Sequence, residues 1–189
     1  MTHLQPATEA DGALIARSLL DPAAFAAVFD RHWPDIHRYC TSRAGAAGED
    51  LAAEVFRIAF DQRRSFRTEL DDAAPWLYGI ATNGLRRWFR SAERARRATA
   101  RARPHDEHDP ADDALGRVEA ELLGPRLAVA LRTLAADDRD TLLLYAWAGL
   151  TYEEVALATG VAVGTVRSRI HRARSRVRAH LESLAEEAT

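Results

Sequence analysis

GLTYEEVALATGVAVGTVRSRIHRARSRVR, residues 149–178, decides how the rest of the chain is read. Thr151 is followed three residues later by Glu154, the spacing of a reciprocal cap in which each side chain satisfies the other residue's backbone amide. A short helix through Val155 and Ala158 then meets Gly160, which can take the left-handed conformation that ends a helix. A turn of three or four residues follows, and a second helix is predicted from near Val163. At 100° per residue, Val166, Ile170, Ala173 and Val177 share one sector, the predicted core face. Opposite them lie Ser168, His171, Arg172 and Ser175. Arg167, Arg174 and Arg178 flank that sector on one side, Arg169 and Arg176 on the other. Residues 163–178 thus hold six arginines and no acid. A merely solvated helix usually mixes charge signs for i,i+4 pairing. A capped short helix, a glycine turn and a one-sign second helix predict a helix-turn-helix with its second helix in a DNA major groove.

Outward from this segment the periodicity stays helical and no strand-like alternation is sustained, so the expected fold class is all-α. Asp21-Pro22 reads as an N-cap and first helical residue before an apolar stripe of Phe25, Val28, Phe29, Trp33 and Ile36. Glycines at 45 and 48 mark a break. A helix from about Glu49 to Arg63 follows, then a polar loop to Asp72 and a third helix from Pro75 to about Arg97. TARARPHDEHDPADDALG, residues 99–116, has two prolines, many charges and little to bury, so a flexible linker is predicted. Beyond it a helix is expected over Arg117–Leu134 and another over Asp137–Ala148, with two short helices closing the chain. The predicted organisation is a tail at 1–10, a helical unit at 11–98, a linker at 99–117, a second unit at 118–185 and a tail at 186–189.

Composition narrows the possible functions. Net charge is −2, yet charge is segregated and every one of the 26 basic residues is arginine. Uniform arginine with abundant alanine points to a GC-rich genome more than to chemistry; its clustering is the informative part. Cys40 is the single cysteine, so no intrachain disulfide forms and a cytoplasmic location is expected. No apolar run approaches the ~20 residues that span a bilayer, and no membrane insertion is expected. His32, His37 and Cys40 do not share one helical face and have no evident fourth ligand, so no metal is predicted. Asp50 with Glu54, and Asp71 with Asp72, read as ordinary surface pairs. No enzyme activity and no cofactor are expected.

Four blocks, DPAAFAAVFDRHWPDIHRYC, GEDLAAEVFRIAF, PWLYGIATNGLRRWFR and GLTYEEVALATGVAVGTVRSRIHRAR, resemble in order and spacing the successive regions of extracytoplasmic-function (ECF) sigma factors, the small two-domain branch of the sigma-70 family. The resemblance implies a region 2 bundle and a region 4 helix-turn-helix. Asp50, Leu51, Glu54, Val55 and Phe56 fall on the positions that dock on core RNA polymerase. Acidic groups beside exposed apolar ones suit a basic, partly apolar partner helix. Phe66, Arg67 and Asn83 match the part that holds an unstacked −10 base, with Arg86, Arg87 and Arg90 along the strand. The −35 positions fall on Arg167, Ser168 and Arg172, with His171 and Arg174 on the same surface. Core polymerase and promoter DNA are the implied partners, and an anti-sigma protein the implied regulator. Ala162 departs from the proline or serine usual before the recognition helix, and Leu134-Ala135 from a leucine-proline pair. The acidic stretch HDEHDPADD at 105–113 could occupy a basic channel of polymerase, as the connector does in relatives. The competing reading is a stand-alone helix-turn-helix regulator that binds duplex DNA unaided.

Overall fold

The computed structural model describes residues 9–102 and 124–186, and every regular element among them is helical. In chain order these are α1 (Asp11–Ser18), α2 (Ala26–Ala44), α3 (Ala47–Gln62), α4 (Ala74–Ala102), α5 (Pro125–Arg132), α6 (Ala136–Ala146), α7 (Tyr152–Thr159) and α8 (Val163–Glu186). Single 3-10 turns at Pro22–Phe25 and Arg63–Ser65 lead into α2 and out of α3. The acidic linker stretch at 105–113 and the first part, 117–123, of the helix expected over Arg117–Leu134 lie outside the described residues.

The first half is a bundle in which α2, α3 and α4 pack on one another, with α1 against the turn at Pro22–Phe25 and α2. Its start follows from local chemistry. The Asp21 carboxylate accepts from Ala23 N at 3.1 Å, and Pro22, with no amide to leave unsatisfied, opens the turn. Val28, Ile36, Tyr39, Val55, Phe56, Leu77, Ala81 and Leu85 meet in the core. Burying each large aliphatic there contributes about 1.5–3 kcal/mol. Asp11 fastens α1: it is almost fully buried, and its carboxylate accepts from Arg31, from His32 Nε2 at 2.6 Å and from Ala73 N at 2.8 Å. Burial alone would raise its pKa, but the bonds from His32 and Ala73 hold it below the ordinary value.

In the second half α5, α6 and α7 all pack on α8. Leu131, Leu134, Leu143, Leu144, Leu150, Val155, Val166, Ile170 and Ala173 form its core. The expected break between α2 and α3 is shorter than the glycines suggest, because α3 begins at Ala47. The chain does not close on two short helices: α8 runs 24 residues. After Gly164 it contains no glycine or proline, and its apolar stripe recurs unbroken to Val177. Likewise α4 continues five residues past Arg97. Glu93 pairs with Arg96 and Arg97 at i+3 and i+4 and supports the helix beyond its apolar face.

Candidate nucleic-acid interface

The cap predicted from residues 151–154 is present in full. Glu154 N donates to Thr151 Oγ1 at 3.2 Å and Thr151 N donates to Glu154 Oε2 at 2.7 Å. Gly160 takes φ 68°, ψ 28°, the left-handed conformation that lets the chain reverse into α8. Val166, Ile170 and Ala173 are at most 2% exposed, as the helical wheel requires. Arg167, Ser168, His171, Arg172 and Arg174 are all exposed. The sequence therefore predicted both the turn and the outward face of α8.

Two tyrosines support that face, which sequence reasoning missed. Tyr145 of α6 and Tyr152 of α7 stack with ring centroids 5.0 Å apart. The Arg174 guanidinium lies 5.2 Å from the Tyr145 ring and that of Arg167 5.9 Å from Tyr152, close enough for cation–π attraction. Ser168 donates to Thr165 O at 2.9 Å, so its oxygen lone pairs remain to face outward. On the other edge α6 supplies acids. Asp138 accepts from Arg172 Nη2 at 2.8 Å and Nε at 3.2 Å, and Asp137 from Arg169 at 2.7 Å. The bond from Arg172 holds the Asp138 carboxyl below its ordinary pKa.

In the first half the structure brings Phe66, Arg67 and Asn83 to one pocket of ≈350 Å³, with Trp76, Gln62 and Ile80 among its walls. Phe66 is buried and tilted against Trp76, centroids 5.0 Å apart. Arg67 is exposed and pairs with Glu69 at 3.0 Å. Asn83, Arg86, Arg87 and Arg90 line a neighbouring groove of ≈590 Å³ between α3 and α4. Arg87 and Arg90 are exposed, whereas Arg86 is half-buried against Asp140 and Asp137 of α6.

The set expected to face polymerase divides. Asp50 and Glu54 are exposed on α3 and Leu51 is half-buried. Val55 and Phe56, expected as exposed apolar partners, are instead core residues at 3% and 4% exposure. Phe56 meets Phe29 edge-on at 4.8 Å, because α3 lies between α2 and α4 and has two inward faces. Glu54 accepts two bonds from Arg57, at 2.5 and 2.6 Å, which lower its pKa. Of the trio His32, His37 and Cys40, His32 lies with Asp11 and Asp72 in a cluster whose ligand atoms fall within 4.8 Å of one another. Arg31 and the Ala73 amide already occupy the Asp11 oxygens, so the cluster serves as a structural ion pair. Cys40 is buried, which pushes its thiol up to about 12. Among the described residues no helix is long and apolar enough to cross a membrane.

Comparison with known proteins places this geometry. Residues 28–95 match the family described as Sigma-70 region 2, and residues 126–177 match Sigma-70, region 4. The ECF RNA polymerase sigma factor SigE of Mycolicibacterium smegmatis is 30% identical, over 97% of this chain and 73% of its own length. EcfG of Rhodopseudomonas palustris is 33% identical, over 78% of this chain and 80% of its own. Among solved structures, CnrH in complex with the cytosolic domain of CnrY covers 93% of this chain and 99% of its own, at 24% identity and TM-score 0.67. A sigma factor RpoE structure from Bartonella quintana covers 84% of this chain and 96% of its own, at 24% identity and TM-score 0.58. With both halves matched in order and relatives alike over most of their length, the chain belongs to the sigma-70 family, in its ECF branch, and acts as a sigma factor in transcription initiation.

Proposed function

We propose that the chain divides promoter reading between its two helical units, 11–98 and 118–185, while its first unit holds core polymerase. In the second unit, α8 enters the major groove of the −35 element. Arg172, Ser168 and Arg167 face base edges, and His171 and Arg174 lie beside them toward phosphate and thymine methyl groups. In the first unit, the pocket of Phe66, Trp76, Arg67 and Asn83 takes an unstacked −10 base. It has the aromatic wall such a base needs and polar groups to read its edge. Arg86, Arg87 and Arg90 follow the strand's phosphates. Asp50, Glu54 and the half-buried Leu51 form the accessible part of the polymerase contact, and Val55 and Phe56 support it from beneath. The chain works in the cytoplasm, without catalytic chemistry or a cofactor of its own. An anti-sigma protein is its expected regulator; the Bartonella quintana relative was solved in complex with one, NepR.

The observation that carries this reading is α8 itself: six arginines without an acid over 163–178, its hydroxyl and guanidinium groups outward over a tyrosine shelf. Promoter assays with core polymerase separate the two readers. Arg172→Ala should lose about tenfold or more in discrimination at one −35 base pair, within the ~1–3 kcal/mol of a bidentate contact. Asn83→Ala should leave −35 protection intact but reduce permanganate reactivity of −10 thymines. Equal loss of both signals in both variants would contradict the division. Tight, specific duplex binding without polymerase would favour a stand-alone regulator.

A further inference from the structure

The loop that carries Phe66 and Arg67 rests on the first turn of α1. Asp11 holds the exit of that loop with both its backbone and its side chain. Its N–H donates to Asp71 O at 3.0 Å, and its carboxylate accepts from Ala73 N at 2.8 Å. The same carboxylate takes Arg31 and His32 of α2, so the loop is tied through α1 to the bundle. At the loop's entry, Arg63 Nε reaches Ser18 O, at the far end of α1, at 3.4 Å.

Gly12 closes the middle of this contact. A Cβ at position 12 would lie 2.5 Å from Leu70 O and closer still to Thr68 O, both of them backbone atoms. No side chain fits that gap, so α1 and the loop touch main chain to main chain. Leu70 N donates to Arg67 O at 2.9 Å, which makes 67–70 one tight turn. Leu70 is also a wall of the pocket that holds Phe66, Arg67 and Asn83. The position of the α1 backbone therefore sets the position of Leu70 and Arg67. Of the two surfaces α1 is the fixed one. Its Leu14 and Ile15 are 2% and 0% exposed in the core, whereas Arg67, Thr68 and Glu69 are exposed.

We propose that α1 is a brace for −10 base selection, with Asp11 and Gly12 as positioning residues that do not themselves touch DNA. The brace rests on the −10 reading given above and adds to it the part that holds the reader in shape. A binding pocket stays selective only while its walls keep within about half an ångström of their working places. Between Phe66 and Ala73 only Phe66 and Leu70 turn toward apolar neighbours, so the loop cannot supply that precision alone. Asp11 and the missing side chain at position 12 supply it from outside.

Two variants of the full-length chain loosen the brace in unrelated ways. Gly12→Ala inserts the Cβ that meets Thr68 and Leu70, while alanine is the better helix former within α1. Asp11→Asn keeps the side chain's shape, but its amide must turn an N–H group toward either Arg31 or the Ala73 amide. In each free protein, hydrogen exchange over residues 66–73 should be about fivefold faster, as loss of one ordinary hydrogen bond implies, with exchange in α2 unchanged. With core polymerase on a promoter that the chain activates, preference for one −10 base should fall about fivefold or more, the low end of what one mismatched base costs. Preference at −35 should not change. Asn83→Ala, run alongside, tests the −10 reading itself. Unchanged exchange over 66–73 in Gly12→Ala, or a rise that extends equally through α2, would overturn the brace. Faster loop exchange with −10 preference intact in Gly12→Ala but lost in Asn83→Ala would overturn its role in selection. Preference intact in both would overturn the −10 reading, and the brace's role with it. The exchange measurement involves no DNA, so it separates a failed brace from a misassigned pocket.

Discussion

Arg172 is gripped side-on by Asp138, through Nη2 at 2.8 Å and Nε at 3.2 Å. That geometry uses one edge of the guanidinium and leaves its end-on pair of N–H groups to donate outward. An arginine so held loses less side-chain freedom when it meets a guanine edge than an unsupported one does. The carboxylate is buried and the guanidinium about half exposed, so the acid is the fixed member. Replacing Asp138 with Asn keeps volume but offers one oxygen in place of two. Discrimination among bases at the pair facing Arg172 should then fall about tenfold, toward the loss expected for Arg172→Ala. Run-off transcription across a set of −35 substitutions reads this directly. An unchanged base preference, with only lower thermal stability, would make Asp138 a packing residue.

The α7–α8 pair shows what a sequence makes legible. Its cap, turn and outward face were readable because each depends on residues within four positions of one another: Thr151 with Glu154, Gly160 alone, and the Val166–Ile170–Ala173 stripe. Thr151→Ala should cost about 1 kcal/mol of stability through the lost cap, measurable in urea unfolding. A cost near zero would mean that packing on α8 alone holds α7. Boundaries were less legible where charged pairs rather than apolar residues extend a helix. Glu93, drawn down to about 2 by Arg96 and Arg97, lies past the core stripe of α4, so periodicity stops before the helix does. Burial on α3 was misread for a related reason. Val55 and Phe56 point to neighbours on two sides, which a one-faced helical pattern does not anticipate.

Contacts between the halves were invisible from sequence, since nothing local marks Asp140 as the partner of Arg43 or Arg86. The acids of α6 form one charge hub: Asp140 and Asp137 reach into the first unit, while Asp137 and Asp138 steady Arg169 and Arg172 of the second. One short acidic turn therefore touches arginines assigned to both promoter elements, which ties the molecule's shape to the charges it offers DNA. Two separate readers, held by polymerase, are proposed to select a promoter together. This is tested most directly by transcription from genomic DNA with core polymerase and this chain, followed by sequencing of the RNA 5′ ends. Starts that depend on the chain should share two upstream elements at fixed spacing, with Arg172→Ala relaxing only the upstream one. Chain-dependent starts that share no such pair, or none at all, would contradict it.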